Sequence, residues 1–291
     1  LSGAVAATFD KGRENAVIAL IEIQDKSALN RMFPLMEHAV KDVRYAAAEV
    51  IAGIPDDSSG PRALQLLEQN SEVSMGPAAY VLGRLKYEPA RASLEKFLKE
   101  RSSPDRERLA RALGWLGGSA STELLIAVLK EEDGEGRYGA AWSLGILGAT
   151  EAIEPLQEAA RSSDYRLATL AVEALGGIGQ PEALDTLRQI AEDEPSLRQS
   201  ALESISSIPG EESREILEDF ATSDDRTVRH TAIRSLAERR STESIPVLVD
   251  LLDDPDSKTV EAAIGALQAI TDNKTLRTAP QWKFWYENQD D

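Results

Sequence analysis

Nine apolar residues recur along the chain at an almost constant interval. These anchors are Leu20, Ile51, Leu82, Leu113, Leu144, Leu175, Ile205, Leu236 and Leu267. Neighbouring anchors are 31 residues apart, except for Leu175 and Ile205, which are 30 residues apart. A fixed period between about 20 and 50 residues is the signature of a repeat array built from one supersecondary unit. We therefore predict one elongated array from these 291 residues rather than separate globular domains.

The residues around each anchor predict a helix, which we call helix B of its unit. A small or aliphatic residue stands three positions before each anchor, and an aliphatic residue stands three positions after it in nearly every unit. Offsets of three and four lie on one helix face. Earlier apolar positions such as Leu94, Leu125 and Leu248 indicate a first helix, A, and Gly or Pro marks the junctions. Each unit is thus predicted to be an antiparallel helical hairpin, giving an all-α fold of about nine hairpins.

One stretch carries a family resemblance. The run Gly136-Arg-Tyr-Gly-Ala-Ala-Trp-Ser-Leu-Gly-Ile-Leu-Gly148, followed by Glu151-Ala-Ile-Glu-Pro-Leu156, resembles the short HEAT-like repeats also found in phycobilin lyases and many bacterial scaffold proteins. The resemblance covers the chain up to Ile270 and implies a right-handed αα superhelix, a HEAT-like solenoid, as a single domain over residues 1–270. It leaves function open, because a fold alone does not specify one.

An arginine ladder is a second element of this resemblance. In the family, helix B often opens with an Arg that bonds acidic or carbonyl groups of the adjoining unit. Seven residues before the anchors stand Arg13, Arg44, Arg106, Arg137, Arg198 and Arg229, while Met75, Ala168 and Val260 occupy the other three units. A ligand-binding ladder is the alternative. We predict that the arginines link repeats, because this offset points toward the packed face.

The two ends depart from the repeat. Residues 271–291 include Trp282 and Trp285, which resemble the Trp-rich tail of many bacterial HEAT-repeat proteins and are predicted to cap the last hairpin. An aromatic ligand box is the alternative interpretation. Leu1 falls within the first predicted helix A, so the start is expected to be uncapped and to have been preceded by other residues. Removal of a signal peptide and an excerpted sequence both fit, and the compartment is not indicated.

The surface opposite the core is where we look for function. Offsets of −6, −2 and +2 from an anchor lie on the side of helix B that is concave in a HEAT-like stack. The second to fifth units gather large aromatic and Arg residues there, and we predict a partner-binding surface made of Tyr45, Tyr80, Arg84, Arg111, Trp115, Tyr138 and Trp142. These residue types are favoured at interface hot spots.

The alternative is that these aromatic residues pack between adjacent B helices. We prefer binding, because the interleaved arginines gain nothing from burial and can stack on aromatic faces. The chain is then a scaffold that binds a protein or peptide.

Charge and composition narrow the partners. The net charge is −18 and the sequence pI is about 4.6, so phosphate backbones are repelled and nucleic acid is not expected. The charge is uneven: residues 1–150 hold 18 Lys and Arg against 21 Asp and Glu, a net −3, whereas residues 151–291 hold 14 against 29, a net −15. The acidic half could steer a basic partner, although a solvated surface is the simpler interpretation. No apolar run reaches the roughly 18 residues that span a bilayer. We expect a monomer.

Catalytic and cofactor chemistry find little support. Cys is absent, and His38 and His230 lie in distant units without the paired His-Glu motifs of the iron-binding HEAT-like hydroxylases. We therefore predict no cofactor, no metal and no enzyme activity. The strongest alternative comes from the resemblance to phycobilin lyases and is a lyase-like chaperone that holds a tetrapyrrole against the aromatic and Arg residues.

Overall fold

The chain is entirely helical wherever it is described. A computed structural model of the protein describes Val5 and residues 10–288, and the regular elements within residues 10–288 are α-helices and short 3-10 turns without any strand. The predicted all-α solenoid of hairpins is therefore confirmed. The chain divides into two compact units, Leu1–Pro155 and Leu156–Asp291.

Two kinds of helix alternate along residues 10–288, with one further helix at the end. The B helices are α1 (Asp10–Ile23), α3 (Lys41–Gly53), α5 (Met75–Arg84), α7 (Arg106–Leu116), α9 (Gly136–Ile146), α11 (Tyr165–Ile178), α13 (Arg198–Ser207), α15 (Arg226–Arg239) and α17 (Ser257–Thr271). The A helices are α2 (Leu29–Leu35), α4 (Ser59–Glu68), α6 (Arg91–Lys99), α8 (Thr122–Leu129), α10 (Ile153–Ala160), α12 (Leu184–Asp193), α14 (Glu211–Ala221) and α16 (Ile245–Asp250). The last helix is α18 (Ala279–Glu287).

Two predictions concern the domain organisation and the first helix of the chain. The division between the two units falls inside α10, near the start of one hairpin, within the stretch predicted to be a single solenoid. In a repeat array each hairpin contacts its neighbours along the chain, so such a division requires no linker. The expectation of an uncapped first helix A concerns residues 1–9, of which only Val5 is described, so it lies outside the described residues.

Acidic side chains begin several B helices. Asp164 accepts hydrogen bonds from the backbone N–H groups of the first turn of α11, Asp225 does so at α15, and Asp256 at α17. A carboxylate at this position satisfies backbone donors that have no partner within the helix. These caps mark the residues at which the three B helices begin.

The anchors form the core of each unit. In the first unit α1, α3, α5, α7 and α9 pack side by side in chain order, and in the second unit α11, α13, α15 and α17 do the same. All nine anchors are buried. Small residues bring these helices close together: the Ser143 hydroxyl on α9 donates to the Ala110 carbonyl on α7 at 2.9 Å, and the Ser204 hydroxyl on α13 donates to the Val172 carbonyl on α11 at 3.0 Å.

The C-terminal helix α18 packs on the last hairpin, against α16 and α17. Trp282 is completely buried and its indole N–H donates to the Leu276 carbonyl at 3.1 Å. Trp285 is partly exposed and meets Trp282 edge to face, with ring centroids 5.1 Å apart. Lys283 forms an ion pair with Asp253 of the preceding hairpin. This is the arrangement that a capping helix requires.

Candidate binding surface

Four B helices of the first unit carry the seven residues predicted to bind a partner. Helix α3 holds Tyr45, α5 holds Tyr80 and Arg84, α7 holds Arg111 and Trp115, and α9 holds Tyr138 and Trp142. Arg84 is exposed and the other six are partly exposed. The predicted residues therefore lie on consecutive, neighbouring helices and not in separate parts of the unit.

Four of these residues form a continuous line of rings, which we call the aromatic row: Tyr45, Tyr80, Trp115 and Trp142. Ring centroids are 6.5 Å apart between Tyr45 and Tyr80, 5.3 Å between Tyr80 and Trp115, and 5.4 Å between Trp115 and Trp142. Each pair meets edge to face, with interplanar angles of 85°, 86° and 70°. Such pairs add about 0.5–1.5 kcal/mol beyond the area they bury. The row therefore holds its partly exposed rings in fixed positions.

Two glycines on α5 make room for the row. A Cβ atom at Gly83 would lie 2.9 Å from Cε3 of Trp115 and 2.8 Å from the backbone of Ala112. A Cβ atom at Gly76 would lie 2.4 Å from the Tyr45 hydroxyl. Any larger residue at these two positions would displace a ring of the row, so the glycines fix where the rings lie.

Arginine side chains lie over the faces of the row. The Arg84 guanidinium carbon is 5.9 Å from the ring centroids of both Tyr80 and Trp115. That of Arg111 is 4.9 Å from the Trp142 centroid, and that of Arg108 is 5.0 Å from the Tyr45 centroid. A guanidinium within about 6 Å of an aromatic centroid is attracted by the ring. Arg108 was not among the predicted residues, because its offset of −5 falls outside the three offsets considered.

The arginines differ in what they present to solvent. The Arg111 side chain is 18% exposed and forms an ion pair at 3.1 Å with Glu107, one turn earlier on α7 and 12% exposed. Arg111 is thus stabilised in a largely buried position, which the sequence argument for binding did not anticipate. Arg84, by contrast, is exposed. Of the three arginines over the row, Arg84 is the one that a partner can reach most directly.

One end of the row is fixed by a carboxylate. The Tyr45 hydroxyl donates to Oδ2 of Asp105 at 2.7 Å, across 60 residues of sequence. Asp105 precedes α7 and has a φ of 55°, in the left-handed region that residues other than glycine adopt uncommonly. Burial raises the pKa of Tyr45 well above its usual range, and the negative charge of Asp105 raises this pKa further. Burial also raises the pKa of Tyr80.

The Tyr45 contact predicts a change in stability at high pH. The pKa of Tyr45 is higher in the folded chain than the ordinary tyrosine pKa of about 10. As the pH rises, the unfolded chain therefore loses the Tyr45 proton before the folded chain does. The contribution of Tyr45 to the free energy of unfolding decreases above about pH 10 for this reason. We expect Tyr45→Phe to lower stability by about 1–2 kcal/mol at pH 8 and by clearly less at pH 11. Urea unfolding followed by circular dichroism at both pH values measures this. Tyr286→Phe, at an exposed ring of α18, is the control. An equal effect of Tyr45→Phe at the two pH values would contradict the assignment.

The six ladder arginines all lie at the start of a B helix, and four of them reach the next hairpin. Their acidic partners there are Asp42 for Arg13 at 3.4 Å, Glu131 for Arg106 at 2.6 Å, Asp225 for Arg198 at 3.3 Å and Asp254 for Arg229 at 3.7 Å. These four contacts have the geometry of links between repeats.

Carbonyl groups at the end of helix A, or in the loop that follows it, are the other partners of the ladder. Arg106 donates from Nε and Nη2 to the Leu98 carbonyl at 3.1 and 2.8 Å, and its side chain is 7% exposed. Arg137 donates to the Leu129 and Glu132 carbonyls, and Arg44 donates to the His38 and Ala39 carbonyls. Arg44 and Arg137 thus make bonds within their own hairpins, which sequence spacing did not distinguish from links between hairpins.

Metal-ligating side chains are not clustered in the described part of the chain. Within Val5 and residues 10–288, no group of three or more His, Asp or Glu side chains could hold a metal ion. His38 accepts a hydrogen bond from the Val40 N–H, and His230 lies 3.2 Å from the Thr259 hydroxyl. Over the same residues, every helix is too short or too polar to cross a bilayer.

Comparisons with known proteins identify a sequence family and several structures of low sequence identity. A family model described as HEAT repeats matches residues 1–74, 92–171, 122–206, 159–230 and 215–278. Among solved structures, an engineered protein is 20% identical, with 100% of this chain and 98% of that chain covered and a TM-score of 0.47. Human deoxyhypusine hydroxylase in complex with glycerol is 16% identical, with 87% and 98% covered and a TM-score of 0.38. No curated protein sequence matches the chain.

Proposed function

The chain belongs to the HEAT-repeat family, and from this premise we propose that it is a scaffold that binds a protein or peptide partner through the aromatic row and Arg84. HEAT repeats form helical scaffolds that generally serve protein interaction, and the fold is typically non-catalytic. The family does not identify the partner or the surface. The argument for the surface rests on the first unit itself.

The observation that carries the proposal is the continuity of the aromatic row across four helices. Aromatic residues make up only 5% of the sequence, yet four of them form one line of partly exposed rings. Tyr, Trp and Arg are the residue types enriched at interface hot spots, where rigid rings bury a large area at a small entropic cost. Ile146, 58% exposed and one turn after Trp142 on α9, extends the apolar part of this surface.

Packing between helices explains part of the arrangement of the aromatic row, but it does not explain the exposed Arg84 side chain over two of the rings. Edge-to-face contacts between neighbouring B helices stabilise the stack, and the Arg111–Glu107 pair belongs to that packing. Arg84 lies over two rings and remains exposed. A partner could therefore contact the rings and Arg84 without rearrangement of the helices, which lowers the entropic cost of binding.

We further propose that the partner is a protein and not a nucleic acid, and that the chain acts as a monomer without a cofactor or catalytic activity. A net charge of −18 disfavours phosphate backbones. The tetrapyrrole alternative predicts an absorbance change when a bilin is added to the protein, whereas the scaffold proposal predicts none. No specific contact in the row favours a planar ligand.

Site-specific photo-cross-linking in native extract tests this proposal. A photoreactive benzoylphenylalanine replaces Ile146 in one preparation and Arg234 in another, because Ile146 is exposed beside Trp142 and its replacement leaves Arg84 in place. Arg234 is the matched control, because it lies on a B helix of the second unit, is 50% exposed and pairs with Glu203. We expect a discrete adduct from position 146 and none from position 234.

Competition shows whether the row is responsible for the adduct. Excess unlabelled wild-type chain should abolish it, while the Trp142→Ala/Arg84→Ala variant should compete at least about 30-fold more weakly, as for a hot-spot loss of about 2 kcal/mol. Circular dichroism must show the variant to be helical. Equal competition by wild type and variant, or equal adducts from both positions, would refute the proposal.

A further inference from the structure

The arginine ladder is interrupted in the hairpin of α10 and α11. Ala168 stands there, at the position seven residues before the anchor, and is buried. In the hairpins of Arg106 and Arg229, the guanidinium at this position makes two kinds of contact. It contacts a backbone carbonyl at the end of helix A or in the loop between helices A and B, and it contacts an acidic side chain of the next hairpin. At the other two exceptions the residue is larger: Met75 is fully buried, and Val260 is partly buried.

The groups that receive the guanidinium elsewhere are still present around Ala168. Glu131 follows Arg106 by 25 residues and Asp254 follows Arg229 by 25, and Asp193 likewise follows Ala168 by 25. Arg106 and Arg137 donate to the carbonyl eight residues earlier, which corresponds to Ala160, the last residue of α10. Carbonyls at a helix C-terminus carry partial negative charge and have no donor within the helix. The acceptors are retained although the arginine is not.

A cavity of about 590 Å³ opens at this place, within the second unit. Ala160, Ala168, Asp193, Glu194 and Ser196 line it, and the 58% exposed ring of Tyr165 lies at its edge. Its volume is in the range of small-ligand sites.

One cation, Arg161, also lines this cavity. Its guanidinium is engaged by the Gln157 carbonyl at 3.0 Å and the Thr186 hydroxyl at 3.1 Å. Thr186 lies two turns of α12 before Asp193, so the Arg161 guanidinium is directed away from the acidic end.

We propose that this cavity binds an arginine side chain of a partner polypeptide, in the place that the ladder arginine takes in other hairpins. A guanidinium offers several donors in a planar fork, which suits a carboxylate beside a carbonyl, whereas a lysine ammonium is a point charge. Residues 151–291 carry 14 Lys and Arg against 29 Asp and Glu, a net −15, and this field attracts a basic segment. The site lies in the second unit, so it does not depend on the function proposed for the aromatic row.

Nuclear magnetic resonance titration of the full-length, 15N-labelled chain tests the site directly. The probe is N-acetyl-arginine methylamide, with the matching lysine and citrulline derivatives as controls. We expect saturable shifts of the Asp193, Glu194 and Ser196 amides with the arginine probe, at least about 5-fold weaker binding of the lysine probe, and no saturable shift with citrulline, which keeps the shape but lacks the charge. Shifts that are absent with arginine, or equal for all three probes, would overturn the proposal.

Two variants with a matched control locate the binding. Ala168→Arg should occupy the cavity from within, abolish the probe shifts and raise the urea midpoint. Asp193→Asn should weaken probe binding about 10-fold, as expected for the loss of a charged hydrogen-bond partner. Glu173→Gln, at an exposed carboxylate of α11, should change nothing. If Asp193→Asn binds as tightly as wild type, the assignment is wrong whether or not Ala168→Arg folds.

Discussion

Replacement of Trp282 by alanine is expected to lower the free energy of unfolding by about 3–5 kcal/mol. Trp282 is 0% exposed, meets Trp285 edge to face and donates its indole N–H to the Leu276 carbonyl. Its removal would leave a cavity between α18 and the last hairpin and would take away one of the two donors to the Leu276 carbonyl, which also accepts from the Gln268 amide at 2.8 Å. Urea unfolding followed by far-ultraviolet circular dichroism measures the loss, because the helical signal does not depend on the indole that is removed.

Phe284→Ala is the matched control for this change. Phe284 is an aromatic residue on the same helix but is 69% exposed, so its replacement is expected to alter stability by no more than about 0.5 kcal/mol. Equal effects of the two substitutions would show that α18 does not cap the core. They would favour the alternative in which its tryptophans form a ligand site.

Arg106→Leu is expected to lower the free energy of unfolding by about 3 kcal/mol, the second large effect. The substitution leaves Glu131, 18% exposed, without its closest cation, and leaves the Leu98 carbonyl without its donor. Arg101, whose Nε lies 4.0 Å from Glu131, compensates in part and keeps the loss near the lower end of the range for broken buried pairs. Urea unfolding measures the change.

Two companion variants separate a link between repeats from a contact within one hairpin. Arg137→Leu removes donors to the Leu129 and Glu132 carbonyls and is expected to cost about 1 kcal/mol. Arg106→Leu/Glu131→Leu removes both charges, so most of the loss from Arg106→Leu should be recovered. If Arg106→Leu and Arg137→Leu lower the free energy of unfolding equally, and the double variant is no more stable than Arg106→Leu, then the link to the next hairpin does not contribute to stability.

The fold could be predicted because one periodic pattern specifies every element. Each anchor and its neighbours at offsets of three mark one buried helix face, and the 31-residue register repeats that face nine times. Caps such as Asp164 and Asp225 follow from local chemistry alone. The division into two units could not be predicted, since the register continues through α10 without a change in pattern.

The candidate surface could be predicted only in part. Helical spacing places Tyr80 and Trp142 on the same face of successive helices, but it does not show which neighbours they meet. Asp105 and Tyr45 are 60 residues apart in sequence, and one other hairpin lies between their hairpins. Their contact therefore depends on how far each side chain reaches across α5. Arg108 of α7 likewise reaches the Tyr45 ring on α3, although its offset of −5 lies outside the three offsets that define the predicted surface. The Arg111–Glu107 pair, in contrast, has the i,i+4 spacing that predicts an ion pair within a helix.

The proposed arginine site lies where the repeat pattern is interrupted. Ala168 is visible in the sequence as an exception to the arginine ladder, while the retention of Asp193 at the acidic position becomes meaningful once Arg106 and Glu131 are seen in contact. The cavity beside Ala168 depends on how the surrounding side chains pack.

Hydroxyl-radical footprinting of the chain, alone and with the partner captured through position 146, tests the central claim most directly. The account predicts that oxidation of Tyr80, Trp115 and Trp142 falls several-fold in the complex. Tyr165 and Phe284, which are 58% and 69% exposed in the second unit, should react at unchanged rates. Unchanged oxidation of the aromatic row in a complex that forms would contradict the claim that this row is the binding surface.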